Sequence, residues 1–127
     1  MSEKIGLRKT EKRELIYEII KSAPGPLSAN DILRIATERN SSIGIATIYR
    51  TIKILLNESK VEAVNLPDGQ HRYTTPSLKH LHYFHCKSCD VVLAIDHCCT
   101  HLHKDEVNGH QVDEHYITLA GVCQGCR

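Results

Sequence analysis

Cys86-x-x-Cys89 and Cys123-x-x-Cys126 carry the clearest chemistry in this 127-residue chain. A CxxC turn lets two sulfurs reach one ion. Two such turns supply the closed all-thiolate tetrahedral sphere that structural zinc prefers. A strand and a helix are expected between the pairs, so the ion would staple the start of a domain to its end. A lone CxxC also fits a redox pair, but neither turn opens a helix after a βαβ pattern, as a thioredoxin-like site requires. Four sulfurs leave no open coordination position, so the expected role is structural and not catalytic.

The remaining candidates are imidazoles and two further thiols. All nine His and all six Cys fall after residue 64. His80 and His82 alternate along an expected strand, "KHLHYFH", and so point to one face, an arrangement suited to two ligands of one metal. "IDHCCTHLHKDEV" is expected to be helical, which sets His97 and His101 at i and i+4 with Cys98 beside them. His115 is expected to begin the strand "HYITLAGVC". A single His is more often a surface or hydrogen-bonded group than a ligand, and His85, His103 and His110 are taken as bystanders. A thiol near the site, Cys98 or Cys99, would add sensitivity to oxidation.

The front half carries none of these groups, and its charge differs. Residues 1–64 hold eleven Lys/Arg against eight Asp/Glu, whereas residues 65–127 hold five against seven. An excess that small fits nucleic-acid binding and fits an ordinary solvated helical face equally. The apolar runs are too short for a membrane span and no export leader opens the chain, so a cytoplasmic protein with no membrane partner is expected. Six cysteines in that setting read as metal ligands before disulfides.

Three short helices are expected in this half. Thr10 is expected to cap the first, which presents Leu15, Ile16, Ile19 and Ile20 before Pro24-Gly25-Pro26 stops it. Ser28 and Asp31 form a capping-box pattern for the second. Thr47 is expected to open the third, "TIYRTIKILLNESK", with Ile48, Ile52, Leu55 and Leu56 facing inward. "KVEAVNLPDGQHRYTT" then reads as two strands around Pro67-Asp68-Gly69. Three helices and a hairpin make a winged helix-turn-helix, whose third helix fits the major groove. Thr47, Tyr49, Arg50 and Lys53 are left for its outer face, where Tyr and Thr suit thymine methyls and phosphates, and Arg suits guanine or phosphate. A helical bundle with a merely hydrated polar face would show the same pattern.

Along nearly its whole length the chain resembles the ferric uptake regulator (Fur) family, through "IGIATIYRTI", "HLHYFHCKSC" and the closing "GVCQGC". The resemblance implies an α+β protein: a winged-helix DNA-binding domain over residues 1–76, then a small α/β dimerisation domain over 77–127 with a four-cysteine structural zinc. It implies a homodimer that binds double-stranded palindromic operator DNA when a second, regulatory divalent metal is bound. The family's structural cysteines fall on Cys86, Cys89, Cys123 and Cys126. Its regulatory ligands fall on His80, His82 and His115, with a helical ligand near residues 98–101. Cys98 matches that helical ligand best, and His97 and His101 are its rivals. The family's interdomain site would fall on Pro26, Thr74, Leu81, Tyr83 and Ala94, none a credible ligand, with His71 of the wing as a weak substitute. That departure counts against peroxide sensing and against a carboxylate-rich ferrous site. Imidazoles with a thiolate suit zinc, in the manner of zinc-uptake-regulator-like members, while Fe²⁺ and Ni²⁺ stay open.

The expectation is therefore a metal-responsive transcriptional regulator, a repressor sensing zinc, with iron-, nickel- or redox-responsive regulation as alternatives. From other classes, zinc storage would use the same ligands without DNA. A small zinc hydrolase would need three ligands, a water and a general base. Glu106 and Glu114 are near, but no HExxH-like array is present.

Overall fold

The computed structural model describes residues 8–77, 81–96 and 106–127. The chain divides into two compact units, Met1–Pro76 and Ser77–Arg127. Among the described residues no helix is long and apolar enough to cross a membrane.

The first unit is built from α1 (Lys9–Ser22), α2 (Ala29–Glu38), α3 (Ile45–Asn57) and the antiparallel hairpin β1 (Glu62–Asn65) and β2 (His71–Thr74). Its core is aliphatic: Ile16, Ile19 and Ile20 of α1 meet Ile32 and Ala36 of α2 and Ile48, Ile52 and Leu55 of α3. Full burial of each large aliphatic is worth roughly 1.5–3 kcal/mol, which is what holds three short helices that would be marginal alone. Leu15 and Leu56, expected to face inward, are only partly buried at the edge of this cluster.

Local signals explain most boundaries. Ala23 is extended where α1 ends, as a residue before proline prefers. The capping box at α2 is present in both directions, Asp31 N–H donating to Ser28 Oγ at 3.1 Å and Ser28 N–H to Asp31 Oδ2 at 3.0 Å. Two expected starts are corrected. α1 is capped by Arg8 and not Thr10, and α3 is capped by Gly44 and begins at Ile45, two residues before the start expected at Thr47. Neither actual cap uses a side-chain hydrogen bond, so a search for a capping hydroxyl picks the wrong residue.

The hairpin is pinned at its turn and its base. Gly69, at φ +78°, takes the left-handed conformation that a Cβ would penalise. The buried Arg72 guanidinium bridges both oxygens of Asp68, at 3.0 and 2.9 Å, and the Gln70 N–H donates to the same carboxylate. At the base, Leu27 and Tyr73 exchange backbone hydrogen bonds of 2.9 and 2.8 Å, tying the segment before α2 to β2. Three helices carrying such a hairpin form a winged helix.

The second unit is a three-stranded sheet in the order β4-β3-β7, from β3 (His82–Cys86), β4 (Val92–Ile95) and β7 (Thr118–Gly121), plus the small hairpin β5 (Glu106–Val107) and β6 (His110–Gln111). β3 runs antiparallel to β4 and parallel to β7. The helix expected over "IDHCCTHLHKDEV" is corrected at both ends, because Ile95 lies in β4 and Glu106 and Val107 in β5. Residues 97–105 between them lie outside the described residues.

Candidate metal centre

The parallel pairing of β3 with β7 organises the second unit. Its register sets Tyr83 opposite Thr118 and Cys86 opposite Gly121. Residues leading into the two strands therefore meet at one end, and residues leaving them meet at the other. His82 and His115 belong to the first end; the CxxC turns belong to the second.

At the leaving end, β3 runs directly into the first turn. Asp90, at φ +66°, reverses the chain, its N–H donating to Cys86 O at 2.9 Å. Asp tolerates this left-handed conformation better than most residues. Its carboxylate also holds His85 Nε2 at 2.5 Å, so one histidine set aside as a bystander braces the turn. Lys87 N–H donates to Gly121 O at 2.8 Å, which delivers Cys123 beside Cys86. The second turn closes with Cys126 N–H to Cys123 O at 3.0 Å.

The four sulfurs of Cys86, Cys89, Cys123 and Cys126 lie within 4.8 Å of one another, and all four are free thiols. Cys89 and Cys123 sulfurs are 3.8 Å apart. For metal–sulfur bonds of about 2.3 Å, the edge of a tetrahedron is about 3.8 Å, so the donor set has the size a tetrahedral tetrathiolate requires. A disulfide needs about 2.05 Å. Electrostatics agree with geometry. The Cys89 and Cys123 N–H groups both point at Cys86 Sγ, at 3.4 and 3.3 Å. They favour its thiolate and lower its pKa from 9.0 to about 6, burial opposing them. Around that sulfur the others resist ionising. Cys126, though helped by the Ser88 hydroxyl, is pushed up to about 12 by Cys123 and Cys89. Cys89 is also raised, since Cys86 and burial outweigh the Val91 N–H. Sulfurs this close cannot all ionise without a cation among them.

At the entering end, His82 is 1% exposed and opens β3. Its ring lies 5.1 Å from that of His115, centroid to centroid, tilted by 31°. The Ile117 N–H donates to His82 Nδ1 at 3.3 Å, and Tyr83 N–H to Ile117 O at 3.2 Å, which clamps the approach to β7 against β3. His115, expected to begin the strand, instead precedes it, since β7 starts three residues later, at Thr118. His80, Cys98 and His101, expected beside these two, lie outside the described residues, as do His97, Cys99 and His103.

In the first unit, α3 shows Tyr49, 55% exposed, with Arg50 and Lys53 also exposed. Thr47 is half-buried, and its Oγ1 accepts a 3.0 Å hydrogen bond from the Arg50 guanidinium. The burial of Ile48, Ile52 and Leu55 forces this outward set, as the apolar spacing implied.

Residues 4–120 match the ferric uptake regulator family as a whole. The ferric uptake regulation protein of Synechococcus elongatus is 32% identical over 133 aligned residues, covering 96% of this chain and 87% of that protein. Among solved structures, a zinc-bound manganese uptake regulator superposes with a TM-score of 0.73 at 21% identity, over 93% of this chain and 92% of that one. FurB from M. tuberculosis, described as a zinc uptake regulator, superposes with a TM-score of 0.54 at 25% identity, over 96% and 97%. The winged helix, the parallel strand pair with its four-cysteine cluster, and a match over nearly the whole chain lead to one conclusion: this protein belongs to the ferric uptake regulator family, whose members are metal-responsive, DNA-binding transcription regulators and not enzymes.

Proposed function

We propose that this protein is a homodimeric, zinc-responsive repressor that binds palindromic operator DNA, with two ions per protomer in separate roles. The supporting observation is the division of donors between the two ends of the β3–β7 pair: four sulfurs at one, the His82 and His115 rings at the other. Cys86, Cys89, Cys123 and Cys126 would hold a zinc ion whose binding stabilises the fold outright, because the unfolded chain has no such site. His82 and His115, completed by His80 and by Cys98 or His101, would hold the sensed ion. When bound, that ion supplies a crosslink between the segments leading into β3 and β7.

Imidazoles are borderline donors that suit tetrahedral zinc better than a carboxylate-preferring ion. A metal ligand must have a deprotonated nitrogen facing the ion, and His82 Nδ1 already accepts the Ile117 N–H. Metal uptake therefore redistributes the hydrogen bonds of this ring. A ligand shifts the DNA-binding equilibrium only by its differential affinity for the two shapes, and a change from 1:99 to 99:1 needs roughly 5.5 kcal/mol. The winged-helix unit, residues 1–76, would be the DNA-binding domain, with Tyr49, Arg50 and Lys53 at the groove and Thr47 orienting Arg50. Residues 77–127 would carry the metal sites and the dimer contact.

An iron-responsive reading has support of its own, since the 32%-identical relative is named a ferric uptake regulation protein. One titration separates the two. Purified dimer is titrated with Zn²⁺, Fe²⁺ or Ni²⁺ while binding to an AT-rich palindromic duplex is followed. Zinc-dependent binding saturating below the other metals is expected. DNA binding that answers only to iron would replace the zinc assignment, and no binding with any metal would remove the regulator reading.

A further inference from the structure

Lys9, Lys12 and Arg13 stand at i, i+3 and i+4 on α1, one stripe of a single helix face. With Arg50, Thr47 and Thr51 of α3 they line a cleft of about 370 Å³ between the two helices. Four cations and two hydroxyls face it, and no carboxylate lines it. Among the described residues none of the four cations is in an ion pair, although Arg8, Lys60 and Arg72 of the same unit each have one and Arg34 has two. Arg8 and Glu11 engage each other, which keeps α1's first acid away from the stripe. Arg50 is fixed at the rim by its bond to Thr47.

Like charges gathered in one cleft repel, and nothing in the aliphatic core demands that they be gathered. An anion between the helices relieves the repulsion, and guanidinium and hydroxyl donors match phosphate oxygens. A recognition helix in the major groove lies between the two sugar-phosphate backbones, so cations clustered beside it are within reach of a phosphate. We propose that the α1–α3 cleft seats a backbone phosphate of the bound DNA, with Lys12, Arg13 and Arg50 as its cations. α1 is then a second DNA-contact element that fixes affinity without reading sequence. The inference rests on the DNA-binding reading and extends it beyond α3.

The test uses metal-loaded full-length dimer and a KCl series on two duplexes, an AT-rich palindrome and its scrambled counterpart. Lys12→Gln/Arg13→Gln is the main variant. Lys9→Gln is a second that alters only an exposed side chain. Arg34→Gln/Arg39→Gln, which also removes two charges outside the cleft, is the equal-charge control, with Arg34→Gln alone matching Lys9→Gln. Each lost phosphate contact lowers the slope of log K against log salt by about 0.9. The double variant is expected to flatten the slope by about one for each cleft engaged, and to lose affinity by about the same factor on both duplexes. Lys9→Gln moves the same way by less, and neither control moves the slope. An unchanged slope in the double variant, a loss confined to the palindrome, or an equal flattening in Arg34→Gln/Arg39→Gln overturns the phosphate seat. Wild type that binds neither duplex overturns the DNA reading itself, a result distinct from wild-type binding with an unaffected double variant. Inorganic phosphate at constant ionic strength separates the sources of the anion. Failure to compete ties the seat to the DNA backbone. Millimolar competition with no slope change in the double variant assigns the cleft to a free anion and overturns the DNA seat.

Discussion

The two ends of the β3–β7 pair are about 13 Å apart along the strand, four residues at 3.3 Å each, yet they are built on different logics. At the sulfur end the donors arrive in local pairs, each CxxC turn pre-assembled by its own backbone hydrogen bonds. Parallel pairing has only to bring one turn to the other. At the imidazole end the rings arrive singly, His82 from the first residue of β3 and His115 from a lead-in with no ladder of its own. What closes them is the Ile117 segment, held by two hydrogen bonds. On the proposed reading, donors paired locally suit an ion that stays, and donors drawn from separate segments suit an ion whose arrival changes how those segments are held.

The sharpest way to break this contrast is at the sulfur end. Cys123→Ala leaves three sulfurs and a buried Cys86 thiolate without its cation. The expected result is loss of one zinc per protomer and of cooperative unfolding in residues 77–127, followed by metal analysis and circular dichroism. A variant that stays folded with its zinc would dissolve the four-sulfur assignment. Next in size is His82→Ala, which should keep the sulfur-bound ion while metal-dependent DNA binding weakens by at least about 10- to 100-fold, the cost of losing even an outer-shell partner of a metal ligand. An unaltered metal response, read by fluorescence anisotropy on the operator, takes His82 out of the site.

A pH series sharpens the comparison further. Cys86 is depressed from 9.0 to about 6, so its thiolate favours the folded unit fully above the ordinary thiol value, and the benefit is lost as pH falls through about 6. Protons compete with a bound ion for the same thiolates, so release of zinc to a chromogenic chelator should be faster at pH 5 than at pH 7–8. Release that does not change between pH 8 and pH 5 contradicts thiolate ligation. The smallest effect belongs to the other unit. Tyr49→Ala should reduce operator affinity by about 1 kcal/mol, the low end of the cost of a lost base contact, and relax its base preference, with both metals retained. Equal affinity of variant and wild type for the operator would place base reading elsewhere on α3.

Legibility in the sequence follows the same division. Local devices were readable: the capping box of Ser28 and Asp31, the proline stop after α1, the turn at Gly69, and each CxxC. The starts of α1 and α3 were not, because Arg8 and Gly44 cap through backbone conformation alone. The basic stripe on α1 was not read from the sequence, because whether Lys9, Lys12 and Arg13 meet solvent or Arg50 depends on how α1 packs on α3. The β5–β6 hairpin was missed because two-residue strands offer too little alternation to separate them from a helix.

By itself the sequence determined which donors exist, that four of them come in chelating pairs, and which faces of three helices must be buried, since each follows from spacing within a few residues. Only the tertiary structure decided that β3 and β7 run parallel in a register pairing Cys86 with Gly121, and so which donors share an end. Strand register is a contact between segments more than thirty residues apart, and no local propensity encodes it.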